Sequence, residues 1–205
     1  MSKPKLILVG AGGHAHACID VIELQGRYEI AGLIGVPGEV GLLHLGYSVL
    51  ATDVDLPEFY GRYQNAFISV GQIKTPDIRI RLYCRLRELG FQLPTIISPT
   101  AYVSRHATIG MGSIVMHGAV INAGARVGEN CIINSRALVE HDAIVEDNCH
   151  ISTGAILNGN ALIGAGSYVG SGSVIREGIN LGTGCIVGMG LSVRHSQASG
   201  TRYVG

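Results

Sequence analysis

The chain has no excess of charge of either sign: 15 Lys and Arg stand against 15 Asp and Glu in 205 residues. That balance argues against a surface built for nucleic acid or an anionic membrane. No apolar run approaches the ~20 residues that would span a bilayer. The opening Lys3-Pro4-Lys5-Leu6-Ile7-Leu8-Val9 superficially looks like a signal peptide, but Gly10-Ala11-Gly12-Gly13-His14 breaks it. It reads instead as a buried strand, and a cytoplasmic protein is expected. Cysteine is scarce, and its five residues are an odd number. A disulfide framework is not expected in such a compartment, and zinc would need chelating spacing and further ligands. Cys131, Cys149 and Cys185 fall on small-residue positions shared with Ala and Ser, so they read as core filler.

What the chain does have is a period. From Val103 to Val187 an aliphatic residue stands at every sixth position, and hexads beginning at Ile97 and Val193 extend the run. A second column follows four residues after each aliphatic, and thirteen of its fifteen members are Ala, Ser or Cys. A six-residue period is neither a helix nor an alternating strand, and such repeats fix an architecture by themselves. Three hexads make one coil of 18 residues, so the expected form is a parallel β-helix of triangular section. Identical positions then stack at the strand spacing of ~4.8 Å. The fourth hexad position is Gly or Asn in twelve of fifteen hexads, residues that accept the left-handed backbone a sharp corner needs.

The first half is organised otherwise. Residues 5–9 read as a strand, 14–24 as a helix, 28–34 as a second strand, 67–71 as another, and 76–89 as a helix closed by Gly90. Alternating strands and helices imply a small parallel Rossmann-type sheet. Two domains follow, 1–96 and 97–205, joined through a segment containing Pro94 and Pro99. Gly10-x-Gly12-x-x-Ala15 follows a strand and opens a helix, which suits close approach of backbone to phosphate. The acidic residue a dinucleotide ribose would want at the end of the second strand is missing, since the chain reads Leu33-Ile34-Gly35-Val36. That counts against NAD and leaves a nucleotide diphosphate compatible.

The hexads resemble those of the left-handed β-helix, or hexapeptide-repeat, acyltransferases. The left-handed sense comes from that resemblance, because parallel crossovers are otherwise right-handed. Adding Gly10-Ala11-Gly12-Gly13-His14, the Val70-Gly71 strand end and Val139-Glu140-His141-Asp142, the chain resembles the nucleotide-sugar acyltransferases of the sialic acid O-acetyltransferase-like family over roughly residues 6–205. It looks most like members that acetylate a GDP-linked 4-amino-4,6-dideoxy sugar of the perosamine type. UDP-sugar relatives usually carry an acidic pair where this chain has Gly35-Val36. The family tail usually continues past the Val204-Gly205 seen here. The resemblance implies an α/β Rossmann-like nucleotide-sugar-binding domain, then a left-handed β-helix that binds acetyl-CoA. It also implies a homotrimer, no metal, and a role in lipopolysaccharide O-antigen synthesis.

Amide formation from acetyl-CoA needs a proton acceptor and an oxyanion donor. Of eight His, spacing places both His117 and His141 on the outward third hexad position, and the resemblance selects His141 as the base. Asp142 either orients that imidazole or is there because Asp tolerates the corner conformation. Gly159 lies 18 residues after His141 and is the only Gly at the third position across fifteen hexads. Close approach of a ligand to its backbone would explain it, as would a chance small residue; the resemblance implies an oxyanion-binding amide there. It also implies cofactor contacts at His150, Gly159, Ser171, Gly188, Met189 and Gly190, and substrate contacts at Gly12, Gly13, His14, Ala15, Gly35 and Gly71. His150 also reads as a surface histidine, and His14 as a helix cap.

Other functions are weighed at this point. O-acetylation of sialic acid or a related sugar, or N-acetylation of a UDP-linked amino sugar, fits the same constellation. A β-helical carbonic anhydrase would use two His five residues apart, and no pair in these coils has that spacing. A non-catalytic trimeric scaffold would bind no CoA.

Overall fold

The computed structural model describes residues 2–204. The chain forms two compact units, Met1–Gly71 with Asp77–Ile96, and Gln72–Pro76 with Ile97–Gly205. The segment Gln72–Pro76 therefore packs with the coils, although its neighbours in sequence belong to the first unit.

The first unit is a five-stranded sheet with three helices. Its strands are β1 (Lys5–Val9), β2 (Glu29–Gly35), β3 (Leu43–His44), β4 (Tyr47–Thr52) and β5 (Asn65–Ile68), in the order β3-β4-β2-β1-β5. All neighbours are parallel except β3 and β4, so the sheet is mixed where a purely parallel one was expected. Leu6, Ile7 and Leu8 of β1 are fully buried, as a central strand covered on both faces requires. The helices are α1 (Gly13–Gln25), α2 (Leu56–Tyr60) and α3 (Asp77–Glu88). Gly26 ends α1 in the left-handed conformation, φ 68°, its N–H donating to Ile22 O at 3.0 Å. Val70 and Gly71 lie beyond the end of β5, not within it. Their turn is held from below: the buried Arg79 of α3 donates from Nη1 to Ile68 O at 3.1 Å and Val70 O at 2.6 Å.

The second unit is a left-handed parallel β-helix. Its two-residue strands form three sheets of six, five and seven strands. The first face runs through Val120–Ile121, Leu138–Val139, Ile156–Leu157 and Val174–Ile175; the second through Arg126–Val127, Ile144–Val145 and Leu162–Ile163; the third through Ile132–Ile133, His150–Ile151 and Tyr168–Val169. Register advances by one coil at each step, Ile121 to Val139 to Leu157 to Ile175. The hexad aliphatics from Val115 to Val193 form one buried core with the small-residue column. Each buried aliphatic side chain stabilises the prism by about 1.5–3 kcal/mol relative to exposure.

The small column has a second task. Ser113 Oγ donates to Gly128 O at 2.7 Å and accepts the N–H of Cys131 at 2.8 Å. Ser167, three coils on, and Ser173, one hexad further, repeat the arrangement. Cys131 and Cys149 point their thiols at the carbonyls of Glu146 and Gly164, which is why Ser and Cys exchange here. The hydrogen bond with Cys131, together with burial, holds the Cys149 thiol well above its ordinary value, so it is no nucleophile.

The corners behave as the fourth position requires. Asn130, Arg136, Asp142, Asn148 and Asn160 have φ between 53° and 60°, and the glycines of that column share the sign. His106 is the one member of the column without a positive φ. Among the described residues, no helix is long and apolar enough to cross a membrane.

Candidate active site

The edge between the first and second faces carries a polar ladder. It is built from residues 122–124, 140–142, 158–160 and 176–178, one rung per coil. His141 stands on it, largely exposed, and its Nδ1 lies 3.0 Å from Asp142 Oδ2. A carboxylate only accepts, so Nδ1 carries the hydrogen and Nε2 offers its lone pair outward. The positive φ of Asp142, 60°, turns its side chain back onto the ring, so the corner and the pairing are one feature. The hydrogen bond to Asp142 outweighs desolvation and, aided by the charges of Asp142 and Glu140, raises the His141 pKa above its ordinary value. Glu140 also fixes the local backbone, accepting the His141 N–H at 3.1 Å and the Asn122 amide at 2.9 Å. Sequence reasoning left Asn122 and Glu140 off the site, although polar residues 18 apart at one hexad position were a visible signal.

Two glycines seat this pair. A Cβ on Gly159 would lie 2.6 Å from His141 Nε2 and 2.7 Å from Cε1. A Cβ on Gly124, one coil before, would collide with Asp142 Oδ1. Gly159 is thus required by the imidazole itself, where sequence reasoning invoked a ligand or chance. On some other rungs a side chain accepts the third-position N–H, as Asp147 does from Glu129 at 2.7 Å and Glu146 from Ala165 at 2.9 Å. Among the described residues no acceptor engages the Gly159 N–H. A free base nitrogen and an unused amide therefore stand on adjacent rungs. The ladder continues into a groove of about 400 Å³ lined by Asn158, Val174, Arg176, Glu177, Ser192 and Arg194.

The other expected contacts lie elsewhere. Ser171, Gly188, Met189 and Gly190 sit on the edge between the third and first faces, Met189 standing well exposed and Ser171 Oγ 2.9 Å from Ser152 Oγ. His150 lies on the third face and is buried. Its Nδ1–H donates to Gln72 O at 2.5 Å, and Nε2 lies 3.2 Å from Asn134 Nδ2, with the Tyr168 ring packed edge-on. It is not a surface histidine; it ties the segment Gln72–Pro76 to the coils. His117 is held by Ser98 Oγ at 2.8 Å.

In the first unit, Gly10 has φ 120°, and a Cβ there would lie 2.5 Å from Val70 Cγ2, so the glycine turn packs against the end of β5. Gly12 and Gly13 face open space. Gly12 is the N-cap of α1 and has no side chain to cap it; His14 lies in the first turn and packs beside Gly71. Ala15 is fully buried, its N–H donating to Gly12 O at 2.9 Å. Among the described residues no group of three or more His, Cys, Asp or Glu could hold a metal.

Three family models match: the PglD N-terminal domain over residues 5–86, the bacterial transferase hexapeptide over 124–159, and the hexapeptide repeat of succinyl-transferase over 160–194. The acetyltransferase domain of PglB from Neisseria gonorrhoeae, in complex with acetyl coenzyme A, is 31% identical with a TM-score of 0.88, over 97% of this chain and 95% of that one. The chain belongs to the hexapeptide-repeat sugar acetyltransferases. A mutant of perosamine N-acetyltransferase from Caulobacter crescentus, in complex with CoA and GDP-perosamine, is 28% identical with a TM-score of 0.91, covering 97% of this chain and 92% of that one. WeeI from Acinetobacter baumannii, at 24% identity and a TM-score of 0.86, shares the fold over 98% of this chain and 97% of its own. No curated protein sequence matches the chain.

Proposed function

We propose that the protein transfers acetyl from acetyl-CoA to the 4-amino group of a GDP-linked 4-amino-4,6-dideoxy sugar, with His141 as general base. The observation that carries this reading is the His141 Nε2 poised over Gly159, next to an N–H that nothing in the chain occupies. The amine attacks the thioester carbonyl; its proton passes to Nε2, and the Gly159 N–H donates to the oxyanion. Collapse breaks the C–S bond, and the thiolate leaves as the CoA thiol after taking that proton. The charge of Asp142 favours the imidazolium formed in between. No residue here is suited to a covalent acyl-enzyme, the thiols of the prism being buried.

Arg176 and Arg194 in the groove one and two coils beyond Gly159 suit the phosphates of CoA. A homotrimer suits the same site. The two faces that meet at the His141 edge carry half-buried aliphatics on their outer sides, Val120, Leu138, Ile156 and Val174 on one, Ile144 and Leu162 on the other. Packing prisms against these faces buries them. The nucleotide belongs to the first unit, where Gly12 and Gly13 leave the amides of the α1 N-terminus open to a diphosphate.

The test is acetyl transfer measured with GDP-, UDP- and dTDP-linked 4-amino sugars and with the matching 4-hydroxy sugars. Turnover with the GDP-linked amine above the others supports the proposal. Preference for a hydroxyl, or for the UDP-linked amine, replaces it with the O-acetyl or UDP reading.

A further inference from the structure

The end of β2 lacks an acidic residue in sequence, but not in space. After Val36 the chain makes a single 3-10 turn, Pro37–Glu39, closed by the Glu39 N–H donating to Val36 O at 2.9 Å. The turn swings the Glu39 side chain back, and its Oε2 accepts the Val36 N–H at 3.0 Å. A Cβ placed on Gly35 would lie 2.6 Å from that oxygen and 3.3 Å from the Ala11 Cβ. Gly35 has no left-handed backbone to demand glycine. Its side-chain space is filled by the carboxylate from four residues on, together with the buried Val49, whose Cγ1 would lie 2.9 Å from that Cβ, beside the glycine turn.

In sheets of this kind the ligand lies outside the carboxyl ends of the strands, diphosphate at the glycine turn and a carboxylate at the end of the second strand accepting from the ribose. The other half of that arrangement is present: open space over Gly12 and Gly13, and no acidic residue in the first turn of α1. Oε2 has spent one lone pair on Val36; its other, and both on Oε1, remain to accept two hydroxyls. The carboxylate stands close to Ala11 in the turn, where a ribose rather than a base follows a diphosphate.

We propose that Glu39 is a specificity-determining residue, its carboxylate accepting the ribose 2′- and 3′-hydroxyls and so selecting ribonucleotides over 2′-deoxynucleotides whatever the base. This rests on the first unit's being the nucleotide-sugar site.

Calorimetric titration of the full-length protein with GDP, 2′-deoxy-GDP and UDP tests it, in wild type and in Glu39→Gln. Glutamine keeps an oxygen for the Val36 N–H but loses the charge, and the wild-type comparison needs no variant. Wild type is expected to bind GDP about tenfold or more tighter than 2′-deoxy-GDP, the worth of a hydrogen bond to a charged group. In Glu39→Gln that ratio should fall toward one, with GDP and UDP weakened by a similar factor. Equal wild-type affinity for GDP and 2′-deoxy-GDP overturns the inference, as does a folded Glu39→Gln with unchanged ratios. A loss confined to GDP overturns it too, placing the carboxylate on the base. If wild type binds no nucleotide at all, the functional reading of this unit falls, and the inference with it.

Discussion

In the prism a residue's surroundings recur every 18 positions; in the sheet unit no residue has a counterpart. Glycine shows the difference. Along the coils one column is glycine for its backbone, the second hexad position is often glycine as well, and Gly159 stands out because it is the only glycine at the third position across fifteen hexads. In the sheet unit Gly10, Gly12 and Gly35 lie within one stretch of chain, yet each has its own surroundings: a left-handed backbone against Val70, an open face, and a space filled by a carboxylate and Val49. Repetition makes an exception conspicuous. Without it, every position must be solved from its contacts.

The sharpest way to break this comparison is at the exception. His141→Ala should lower turnover by roughly 10²–10⁴-fold, the usual worth of a general base, with CoA affinity and melting temperature nearly unchanged. Near-normal turnover across pH would move the base elsewhere on the coils.

Gly159→Ala should come next. Its Cβ would occupy the space of His141 Nε2, so the ring must leave its rung and the neighbouring amide. A loss of roughly 10²–10³-fold in kcat is expected, comparable to removing an oxyanion donor, in a chain that still melts normally. If Gly159→Ala is fully active, the ring and the amide do not act together. If it unfolds, this glycine serves the coil like those of the corner column.

In the sheet unit, Gly10→Ala and Gly12→Ala form a pair. Gly10→Ala meets both a forbidden backbone and Val70, and should cost about 1–3 kcal/mol for the backbone alone. Gly12→Ala meets nothing, and should stay within about 0.5 kcal/mol of wild type in denaturant unfolding. Equal effects would mean that the turn is set by the chain rather than by its packing on β5.

The smallest expected effect is the most informative about charge. The hydrogen bond to Asp142 raises the His141 pKa, and the base works only when neutral, so kcat/KM should climb as pH rises through that raised value. Asp142→Asn keeps a corner-compatible residue and removes the charge. The acidic limb of the profile should then shift to lower pH, with a several-fold lower plateau. An unmoved profile would leave Asp142 as a corner residue alone.

Much of the prism was legible because its period couples each residue to a fixed environment. Core, corner and the His141–Gly159 adjacency all followed from counting by six and by eighteen. What counting could not reach was orientation. That the Gly159 space belongs to the His141 ring, and that Gly124 makes room for Asp142, depends on side-chain direction. That His150 is buried, not a surface histidine, was hidden for a different reason: its partner, Gln72, is 78 residues away in sequence. In the sheet unit β1, α1 and α3 were legible from apolar runs and caps. The stretch between β2 and β5 was not, because β3 is two residues long and α2 is five, too short for any periodic signal. The carboxylate of Glu39 escaped for the same reason, since a single 3-10 turn returns it to a place the sequence marks as empty.

The stacked register described above also governs how such a chain can change over time. One residue added within a strand would turn the aliphatic column outward through every later coil, whereas a surface substitution between rungs disturbs only its neighbours. Lineages carrying this prism are therefore free to drift in letters but not in count. Relatives only 28–31% identical still align over 97% of this chain. For descendants of one such ancestor, spacing is the heritable trait, and kinship is better judged by the interval between residues than by their identity.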